Sequence, residues 1–300
     1  MAGIVVAGSI NMDFVVRTPR IPAPGETIIG RTLTQVPGGK GANQAVAIAR
    51  LGGDVTMIGR VGGDSFGQAM LSAMADSGVK LDGVSISEET STGIAMISVD
   101  DAGENNIIVV PGANALVSPA DFHRHTAFLQ DASMLLMQLE IPLETVAYAA
   151  SYAKERGITT FLNPAPAQPL SAELLNGLDF LLPNETELAL LTGISGTAPA
   201  SLERAANVLL SSGVRHVLVT VGANGSWCFG SGFRHHQPAC PVTAIDTTAA
   251  GDSYAGAFVV ALSEGKSIPE AMAFAARVSS ITVSRNGAQS SLPFRAEVMQ

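Results

Sequence analysis

The chain has 300 residues, of which 47% are apolar and 14% are charged, and its formal net charge is −9 at pH 7. This length allows one large α/β domain or two smaller ones, and the apolar fraction is sufficient to bury a large core. The negative charge argues against a general nucleic-acid binder, because such a protein needs a basic face that displaces counterions.

The sequence carries no pattern of a targeting signal, a disulfide framework or a zinc site. Its N-terminus, MAGIVVAGSI, has no basic leader, and no apolar run is long enough to span a membrane. The two cysteines, Cys228 and Cys240, form no CxxC pair. We therefore expect a cytoplasmic protein from a reducing compartment, with neither membrane nor nucleic acid as a partner.

The first part of the chain predicts alternating strands and helices. Residues 3–8 form an apolar run bounded by glycines, which is typical of a buried strand. A helical run follows the GGKGAN motif and closes at Gly52-Gly53; residues 55–61 then predict a strand and 66–77 a helix. This alternation favours a parallel sheet that helices cover on both faces.

Two stretches interrupt this rhythm, at about 14–37 and 93–111. The first is rich in Pro, Thr and Gly, and the second has two apolar runs that flank residues 100–104, as in a β-hairpin. Together they predict a small separate sheet that serves as a lid. An ordinary edge hairpin is the alternative.

The alternation resumes after Pro119 and shows no repeat, low-complexity tract or linker. We therefore predict one domain over residues 1–300, with a doubly wound, mainly parallel sheet flanked by helices and a small β-sheet lid. The later strands are predicted at 133–138, 158–162, 179–182 and 216–221. The later helices are predicted at 121–130, 143–157, 185–192 and 201–212, with two more that start near 252 and 268.

Polar residues follow many of the predicted strands. Ligands of open α/β sheets bind at the carboxyl ends of the strands, so these residues are candidates for a site. Each one alone is more typical of a turn or a cap than of a site, and the number of strands that end in such residues is the informative feature. They are Asn11 and Asp13, Gln138 and Glu140, Asn163, Asn184 with Glu187, Thr220 with Gly222, and Asp246 with Asp252.

The stretch 244–258 has the composition of an anion site beside an acid. We interpret it as a strand end, a turn through Thr247-Thr248, small residues at 249–251 and a helix that starts at Asp252. The first amides of a helix attract an anion, and a carboxylate beside them is suited to take a proton from a hydroxyl that attacks phosphorus. The alternative is that Asp252 only caps the helix.

Three further motifs admit a functional and a structural interpretation. GGKGAN, at 38–43, either lets a polyol or phosphate lie against the backbone or forms a glycine-rich helix start; it does not fit a Walker A loop. Asn184 and Glu187 either orient water around a phosphate-bound Mg²⁺ or compensate the helix dipole. The turn 220–225 either holds a nucleotide or connects two strands.

The motifs agree with one another in a series that runs nearly from end to end. It consists of GSINMD at 8–13, PGGKGANQA, STGIA, PGAN, MQLEIPLETV, LNPAPA, PNETE, DTTAAGD and GAQSSLP at 287–293. In this order the blocks resemble the PfkB (ribokinase) family of carbohydrate kinases. The resemblance implies ATP-dependent phosphorylation of a sugar, with D-ribose converted at O5 to ribose 5-phosphate. It also implies Mg²⁺ and an activating monovalent cation, usually K⁺.

The resemblance assigns roles to the candidate residues. Asp252 would be the general base and contact the sugar, and the amides of Ala250, Gly251 and Asp252 would form the anion hole for the phosphoryl group. Glu187 would act on Mg²⁺ through water, and the lid would form the contact of a homodimer. The other sugar contacts would be Asn11, Asp13, Gly39, Lys40, Asn43 and Glu140, and the ATP contacts Asn184, Thr220, Gly222, Gly225 and Gly251. The monovalent-cation loop would comprise Asp246, Thr248, Thr282, Arg285, Gly287 and Ser291, many of them through backbone carbonyls.

Two positions depart from the pattern. Ala249 stands where the wider family often has Gly, and we expect its methyl group to be tolerated if the residue avoids positive φ. Ala276 stands where some members have an Asn near the adenine, so that contact is not expected here.

The competing functions are a kinase for 2-deoxyribose, or for another sugar or nucleoside, a non-catalytic sensor and a nicotinamide dehydrogenase. Lys40 and Glu140 favour a pentose over fructose or adenosine. A sensor would need a lost base or a broken anion loop, but Asp252 and Gly251 are present. No GxGxxG follows the first strand, which argues against the dehydrogenase.

Overall fold

The computed structural model describes residues 3–299, and within them strands and helices alternate as the sequence predicts. The strands are β1 (Gly3–Ala7), β2 (Asn11–Arg17), β3 (Thr32–Gly38), β4 (Val55–Gly62), β5 (Lys80–Ser87), β6 (Gly93–Val99), β7 (Asn105–Val110), β8 (Ala132–Met137), β9 (Thr159–Leu162), β10 (Phe180–Leu181), β11 (His216–Thr220), β12 (Ser226–Gly230) and β13 (Phe233–Gln237).

The helices follow the strands closely in the chain. They are α1 (Lys40–Arg50), α2 (Ser65–Asp76), α3 (Pro119–Arg124), α4 (Thr126–Gln130), α5 (Leu143–Glu155), α6 (Ala172–Asn176), α7 (Glu185–Thr192), α8 (Pro199–Ser211), α9 (Ala250–Ser263), α10 (Ile268–Val283) and α11 (Arg295–Val298). None of those in the described part of the chain has the length and apolarity that a membrane span requires.

The large sheet has the strand order β13-β12-β11-β10-β9-β8-β1-β4-β5. Its pairs from β11 to β5 are parallel, and β12 and β13 join one edge as an antiparallel extension. Ile4 and Val6 of β1 face one apolar cluster, which α1, α9 and α10 cover, whereas Val5 and Ala7 face a second cluster, which α5 and α8 cover. Burial on both faces explains why β1 is a continuous apolar run. The predicted doubly wound fold is confirmed.

The two interrupting stretches form one small sheet of order β3-β2-β6-β7. β2 pairs with β3 antiparallel and with β6 parallel, and β6 and β7 form the predicted hairpin. This sheet, which we call the lid, begins at Asn11, three residues earlier than predicted. The lid as a second sheet is confirmed, while the division of residues 1–300 into domains stays a prediction.

The chain crosses from β1 to the lid through Gly8, Ser9 and Ile10, and this crossing is held on several sides. The Gly8 amide donates to the Ile58 carbonyl at 3.1 Å, and the Ser9 carbonyl accepts from the Ala42 amide at 2.9 Å. The Asn114 side chain accepts from the Ile10 amide at 2.9 Å and donates to the Ile10 carbonyl at 3.2 Å. The root of the lid is therefore fixed to the core.

Some elements differ from the sequence predictions. The strands β5, β12 and β13 and the short helix α6 were not predicted, and the helix predicted at 121–130 is interrupted at His125. The strand end predicted before Asp246 is wrong, since residues 238–249 contain no strand. The amides of Ile245 and Asp246 both donate to the carbonyl of Val283, at the end of α10, instead of to a strand neighbour.

Candidate active site

A cavity of about 200 Å³ opens at the carboxyl edge of the large sheet. This is the edge at which open α/β sheets bind ligands. The predicted residues that line the cavity are Lys40, Asn163, Asn184, Glu187, Thr220, Ala250, Gly251 and Asp252. They come from α1, the end of β9, α7, β11 and α9, so the fold brings together residues that are far apart in the sequence.

Asp252 lies in the first turn of α9 and is 7% exposed. Its Oδ1 accepts a hydrogen bond from Gln44 Nε2, and its Oδ2 accepts one from Asn43 Nδ2, both at 3.0 Å. The N-cap residue is Ala249, so the alternative that Asp252 only caps this helix is wrong. The carboxylate is instead held by side chains of α1 at the wall of the cavity.

The start of α9 provides backbone amides beside this carboxylate. The Ala250 amide donates to the Thr247 carbonyl at 3.2 Å and closes the preceding turn. Within residues 3–299, the amides of Gly251 and Asp252 have no backbone acceptor. Of the three amides predicted for the anion hole, these two therefore remain available to a ligand.

Ala249 has φ 59° and lies in the left-handed region. The expectation that its methyl group would be tolerated rested on the residue avoiding positive φ, and that condition is not met. An L-residue in this region costs about 1–2 kcal/mol, which the surrounding turn must offset. Local strain therefore lies at the residue that sets the start of α9.

The acids predicted to contact a sugar lie around Lys40, the first residue of α1. Glu140 Oε2 accepts from Ser9 Oγ at 2.5 Å and from the Lys40 amide at 3.1 Å. Burial lowers the pKa of the Lys40 ammonium, but Asp252, Glu140 and other nearby carboxylates raise the pKa more, so the net change is upward. Lys40 thus stays charged and neutralises part of the acidic cluster.

Asp13 has the most perturbed carboxylate of this cluster. Burial, followed by the charges of Glu140 and Asp252, raises the pKa of Asp13 to about 7, against a lowering effect of Lys40. The Oδ1 atoms of Asp13 and Asn43 are buried and have no hydrogen-bond partner within the described residues. Unpaired buried acceptors are costly, and the hydroxyl groups of a polyol would satisfy them.

The raised pKa of Asp13 leads to a prediction about stability. Between about pH 4 and pH 7 the folded protein holds a proton on Asp13 that the unfolded chain releases, so this residue makes the fold less stable as pH rises through that window. Asp13→Asn should therefore raise the free energy of unfolding of the ligand-free protein at pH 8 by an amount on the order of a few kcal/mol, with a higher Tm, and raise both clearly less at pH 5.

Thermal unfolding at the two pH values checks this prediction. Asp82→Asn, which removes an exposed carboxylate on β5, is the control for a change in net charge. An equal change of Tm at pH 5 and pH 8 in Asp13→Asn would show that the charge of Asp13 is not the cause.

The glycine-rich entry to α1 places these groups close together. Gly39 has φ 87°, and a Cβ atom there would lie 2.7 Å from the Asn11 amide nitrogen. A Cβ atom on Gly38 would lie 2.1 Å from Asp13 Oδ2. The glycines at GGKGAN therefore allow a close approach of the protein's own chain, which brings the root of the lid against α1, while the predicted approach of a polyol or phosphate stays a prediction.

Asn184 and Glu187 form a capping box at the start of α7. Asn184 Oδ1 accepts from the Glu187 amide at 2.8 Å, and Glu187 Oε2 accepts from the Asn184 amide at 2.9 Å. Both also line the cavity, and burial raises the pKa of Glu187. The structural interpretation is thus confirmed, and the predicted role towards Mg²⁺ remains compatible with it, since Mg²⁺ takes few protein ligands and keeps several waters.

Thr220 lies next to Asn184 through an isolated parallel bridge, and it lines the cavity. The turn that follows connects β11 to β12, as the structural alternative predicted. Gly222 and Gly225 have φ 48° and 81°, which favour glycine, but they are not among the residues that line the cavity. Their predicted contact with ATP therefore stays a prediction.

The loop predicted to hold a monovalent cation is partly assembled around Asp246. Its Oδ1 accepts from the amide and hydroxyl of Thr248 at 2.9 and 2.6 Å, and its Oδ2 accepts from the Gly287 amide at 2.9 Å. Burial raises the pKa of Asp246, but these hydrogen bonds lower it by a larger amount, so the net change in the pKa is downward.

The other predicted members of this loop use their side chains elsewhere. The hydroxyls of Thr282 and Ser291 donate to carbonyls of Val278 and Ala288. Arg285 pairs with Glu297 at 2.6 Å. Any cation here would rely on backbone carbonyls, which side-chain patterns do not reveal.

Several residues that support the site were not predicted as site residues. Ser9 bonds Glu140, Asn114 donates to Asn11 Oδ1 at 2.7 Å, and Gln44 bonds Asp252. Gln138 and Asn163, which were noted only as residues after strands, bond Gln44 at 2.6 and 3.3 Å. Ser9, Asn114 and Gln44 lie within the blocks GSINMD, PGAN and PGGKGANQA, so these blocks contained the available signal.

Comparison with known proteins agrees with this geometry. The pfkB family carbohydrate kinases match residues 1–295. A ribokinase of Haemophilus influenzae is 43% identical, and the match covers 99% of this chain and 97% of the relative. A deoxyribokinase of Salmonella typhi is 36% identical, and the match covers 97% of this chain and 95% of the relative. The structure of Arabidopsis thaliana ribokinase complexed with ribose and ATP has 37% identity and a TM-score of 0.92, and the match covers 99% of this chain and 97% of that one.

Proposed function

Because the chain belongs to the pfkB family of carbohydrate kinases, we propose that it transfers the γ-phosphoryl group of ATP to O5 of D-ribose. The observation that carries the proposal is the arrangement around Asp252. This buried carboxylate accepts a hydrogen bond from Asn43, and its charge acts on Asp13; the Oδ1 atoms of both residues are unpaired acceptors. The same residue lies in the first turn of α9, where the amides of Gly251 and Asp252 are available. A hydroxyl held by these acceptors would face a phosphoryl group held by these amides.

The reaction needs positioning and charge stabilisation more than covalent help from the protein. The sugar hydroxyl loses its proton to Asp252, its oxygen forms the new bond to phosphorus, and ADP leaves. The amides of Gly251 and Asp252 stabilise the charge on the transferring phosphoryl oxygens. Lys40, near Asp252 and Glu187, adds a positive charge on the same side of the cavity.

The sugar would bind between the lid and α1. Asn11 and Asp13 belong to β2, while Lys40 and Asn43 belong to α1, so a pentose would contact both. Gly39 and Glu140 would complete this set. The neutral amides of Asn11 and Asn43 both donate and accept, as recognition of hydroxyl groups requires.

The nucleotide would lie over α7 and the turn after β11. Asn184 and Thr220 line that end of the cavity, and Gly222 and Gly225 follow in the turn. Mg²⁺, when bound with ATP, would neutralise phosphate charge, and Glu187 would orient its water ligands. The loop of Asp246, Thr248, Thr282, Arg285, Gly287 and Ser291 would hold K⁺ next to the turn that shapes the anion hole.

A second candidate substrate is 2-deoxyribose, which the deoxyribokinase relative favours. Loss of the 2-hydroxyl removes only part of the polar network, so this sugar is the closest competitor. The preference for ribose over 2-deoxyribose depends on whether bound 2-deoxyribose leaves the acceptor oxygens of Asp13 and Asn43 without a hydroxyl partner.

A substrate panel with ATP and Mg²⁺ tests the proposal. We expect kcat/KM for D-ribose to exceed that for 2-deoxyribose, fructose and adenosine, and the activity to rise when K⁺ replaces Na⁺. If another sugar is preferred, the substrate is wrong but the kinase stands. If K⁺ has no effect, the assignment of the cation loop is wrong.

We further propose a homodimer through the lid. All six residues of its edge strand β7 are exposed, and Ile107 and Ile108 are 54% and 67% exposed. An apolar edge strand of this kind favours pairing with a second chain. Sedimentation equilibrium should show a dimer that Ile108→Asp converts to a monomer; a monomeric parent protein would contradict this assembly.

A further inference from the structure

We propose that Gln44 is a positioning residue that fixes the orientation of the Asp252 carboxylate. The proposal rests on the function proposed above, in which Asp252 is the base. Gln44 is fully buried, and neither Gln44 nor its neighbour Asn43 lines the cavity. Asn43 keeps an unpaired oxygen, whereas the Gln44 amide is used up in hydrogen bonds to other side chains. Gln44 therefore acts on the base through a hydrogen bond that a ligand does not reach.

The hydrogen bonds of Gln44 determine its amide orientation. A carboxylate only accepts hydrogen bonds, so the Nε2 of Gln44 must face Asp252 Oδ1, at 3.0 Å. Its second hydrogen is directed to Asn163 Oδ1 at 3.3 Å, and the Asn163 amide nitrogen donates to the Leu182 carbonyl at 3.0 Å. Both hydrogens of Gln44 are thus used, and a flipped amide would put two oxygens against each other.

Gln138 holds the other end of the same amide. Its Nε2 donates to Gln44 Oε1 at 2.6 Å, and Gln138 is fully buried at the end of β8. The glycine at the end of β1 leaves the room for this side chain, because a Cβ atom on Gly8 would lie 1.9 Å from Gln138 Oε1. The orientation of Asp252 is therefore connected through Gln44 of α1 to the ends of β8 and β1, which are neighbours in the large sheet.

This arrangement gives the two carboxylate oxygens of Asp252 different roles: one fixes the orientation of the group and the other accepts the proton. Oδ1 is held by Gln44, a residue that a sugar cannot reach. Oδ2 is held by Asn43, whose own Oδ1 is an unpaired buried acceptor that a sugar hydroxyl would satisfy, so we assign Oδ2 as the oxygen that receives the hydroxyl proton. A rotation of the carboxylate would move Oδ2 away from the sugar hydroxyl, and small misplacements of catalytic groups lower the reaction rate by large factors.

The variant Gln44→Met keeps the volume of the side chain and removes both donors. We expect kcat for ribose to fall about 10- to 100-fold, part of the effect of a positioned base. The KM values for ribose and ATP should stay within about threefold of the parent, because Gln44 touches neither ligand. Thr145→Val is the matched control: it removes a buried side-chain hydrogen bond of 2.8 Å to the Val117 carbonyl, and Thr145 does not line the cavity. It should lower Tm and leave kcat unchanged.

A double-mutant cycle separates positioning from a general loss of structure. In the Asp252→Asn background, Gln44→Met should cause no further loss of kcat, because Gln44 acts only through the carboxylate. The same fold-change in both backgrounds, or a folded Gln44→Met enzyme with kcat within about twofold of the parent, would overturn the inference.

A second variant keeps the test decisive if Gln44→Met does not fold. Gln138→Met removes the donor that orients the Gln44 amide, and it should lower kcat about 3- to 10-fold without a matching change in KM; an unchanged kcat would count against the inference. Near-normal turnover in Asp252→Asn itself would refute the proposed base. A severe loss in Asp252→Asn with none in folded Gln44→Met would refute the positioning role alone.

Discussion

Replacing Asp252 by Asn should abolish most turnover while the protein still folds and binds both substrates. The amide has nearly the same shape as the carboxylate but cannot accept the hydroxyl proton at neutral pH. A positioned base contributes about 10²–10⁴ in rate, so we expect kcat to fall by a factor in this range. KM for ribose and ATP should change far less, because Lys40, Glu140 and the α9 amides remain.

Steady-state kinetics together with calorimetric titration of ribose checks this result. A Tm close to that of the parent protein is required, so that the loss of kcat cannot be attributed to unfolding. Near-normal kcat in Asp252→Asn would exclude Asp252 as the base and leave the buried carboxylate without a chemical role.

Gly251→Val should separate stability from activity at the anion hole. Gly251 is exposed at the cavity, its φ is not in the left-handed region, and a Cβ atom there would meet no atom within 4 Å. The fold therefore accepts a side chain at this position, with a change in stability within about 1 kcal/mol. The added methyl groups occupy space beside the two available amides, where the phosphoryl oxygens must approach.

We expect the loss of one oxyanion-type contact to lower kcat about 10²–10³-fold in Gly251→Val. Ribose binding, measured by calorimetry without ATP, should be retained. Gly265→Val, at a glycine with φ 81° beyond the end of α9, is a contrasting variant: it should lower Tm through backbone strain and leave kcat per folded molecule unchanged. Full activity in Gly251→Val would place the transferring phosphoryl group elsewhere.

The sequence predicted those strands and helices whose own residues carry a recognisable apolar pattern. The buried run of β1, the hairpin of β6 and β7 and the helices α1, α5 and α9 each have a pattern of their own. The strand β5 was missed because its sequence, KLDGVSIS, has neither a long apolar run nor a regular alternation of apolar and polar residues. β12 and β13 were missed because they are an antiparallel extension added to an otherwise parallel series.

The candidate site residues that were named from sequence motifs were more predictable than the side chains that support them. Asn43 and Asp252 lie in recognisable blocks, and the structure brings them to 3.0 Å although they are 209 residues apart. Gln44 and Asn114 bond other side chains instead of lining the cavity, and no local pattern indicates such partners. The φ of Ala249 was also not predictable, because alanine occurs in both backbone regions and the turn from Thr247 to Ala250 decides between them.

The clamped crossing from β1 to the lid has a consequence for the thermodynamics of sugar binding. Ile10 is bonded on both sides by Asn114, and Asn11 is bonded by the same amide, so Asn11, the first of the proposed sugar contacts, is already held by hydrogen bonds without a ligand. The entropy lost in ordering this wall of the site belongs to folding and not to association. We therefore expect heat-capacity and entropy changes on ribose binding to originate in the outer lid, in residues 18–31 and 100–104, while the root contributes mainly enthalpy.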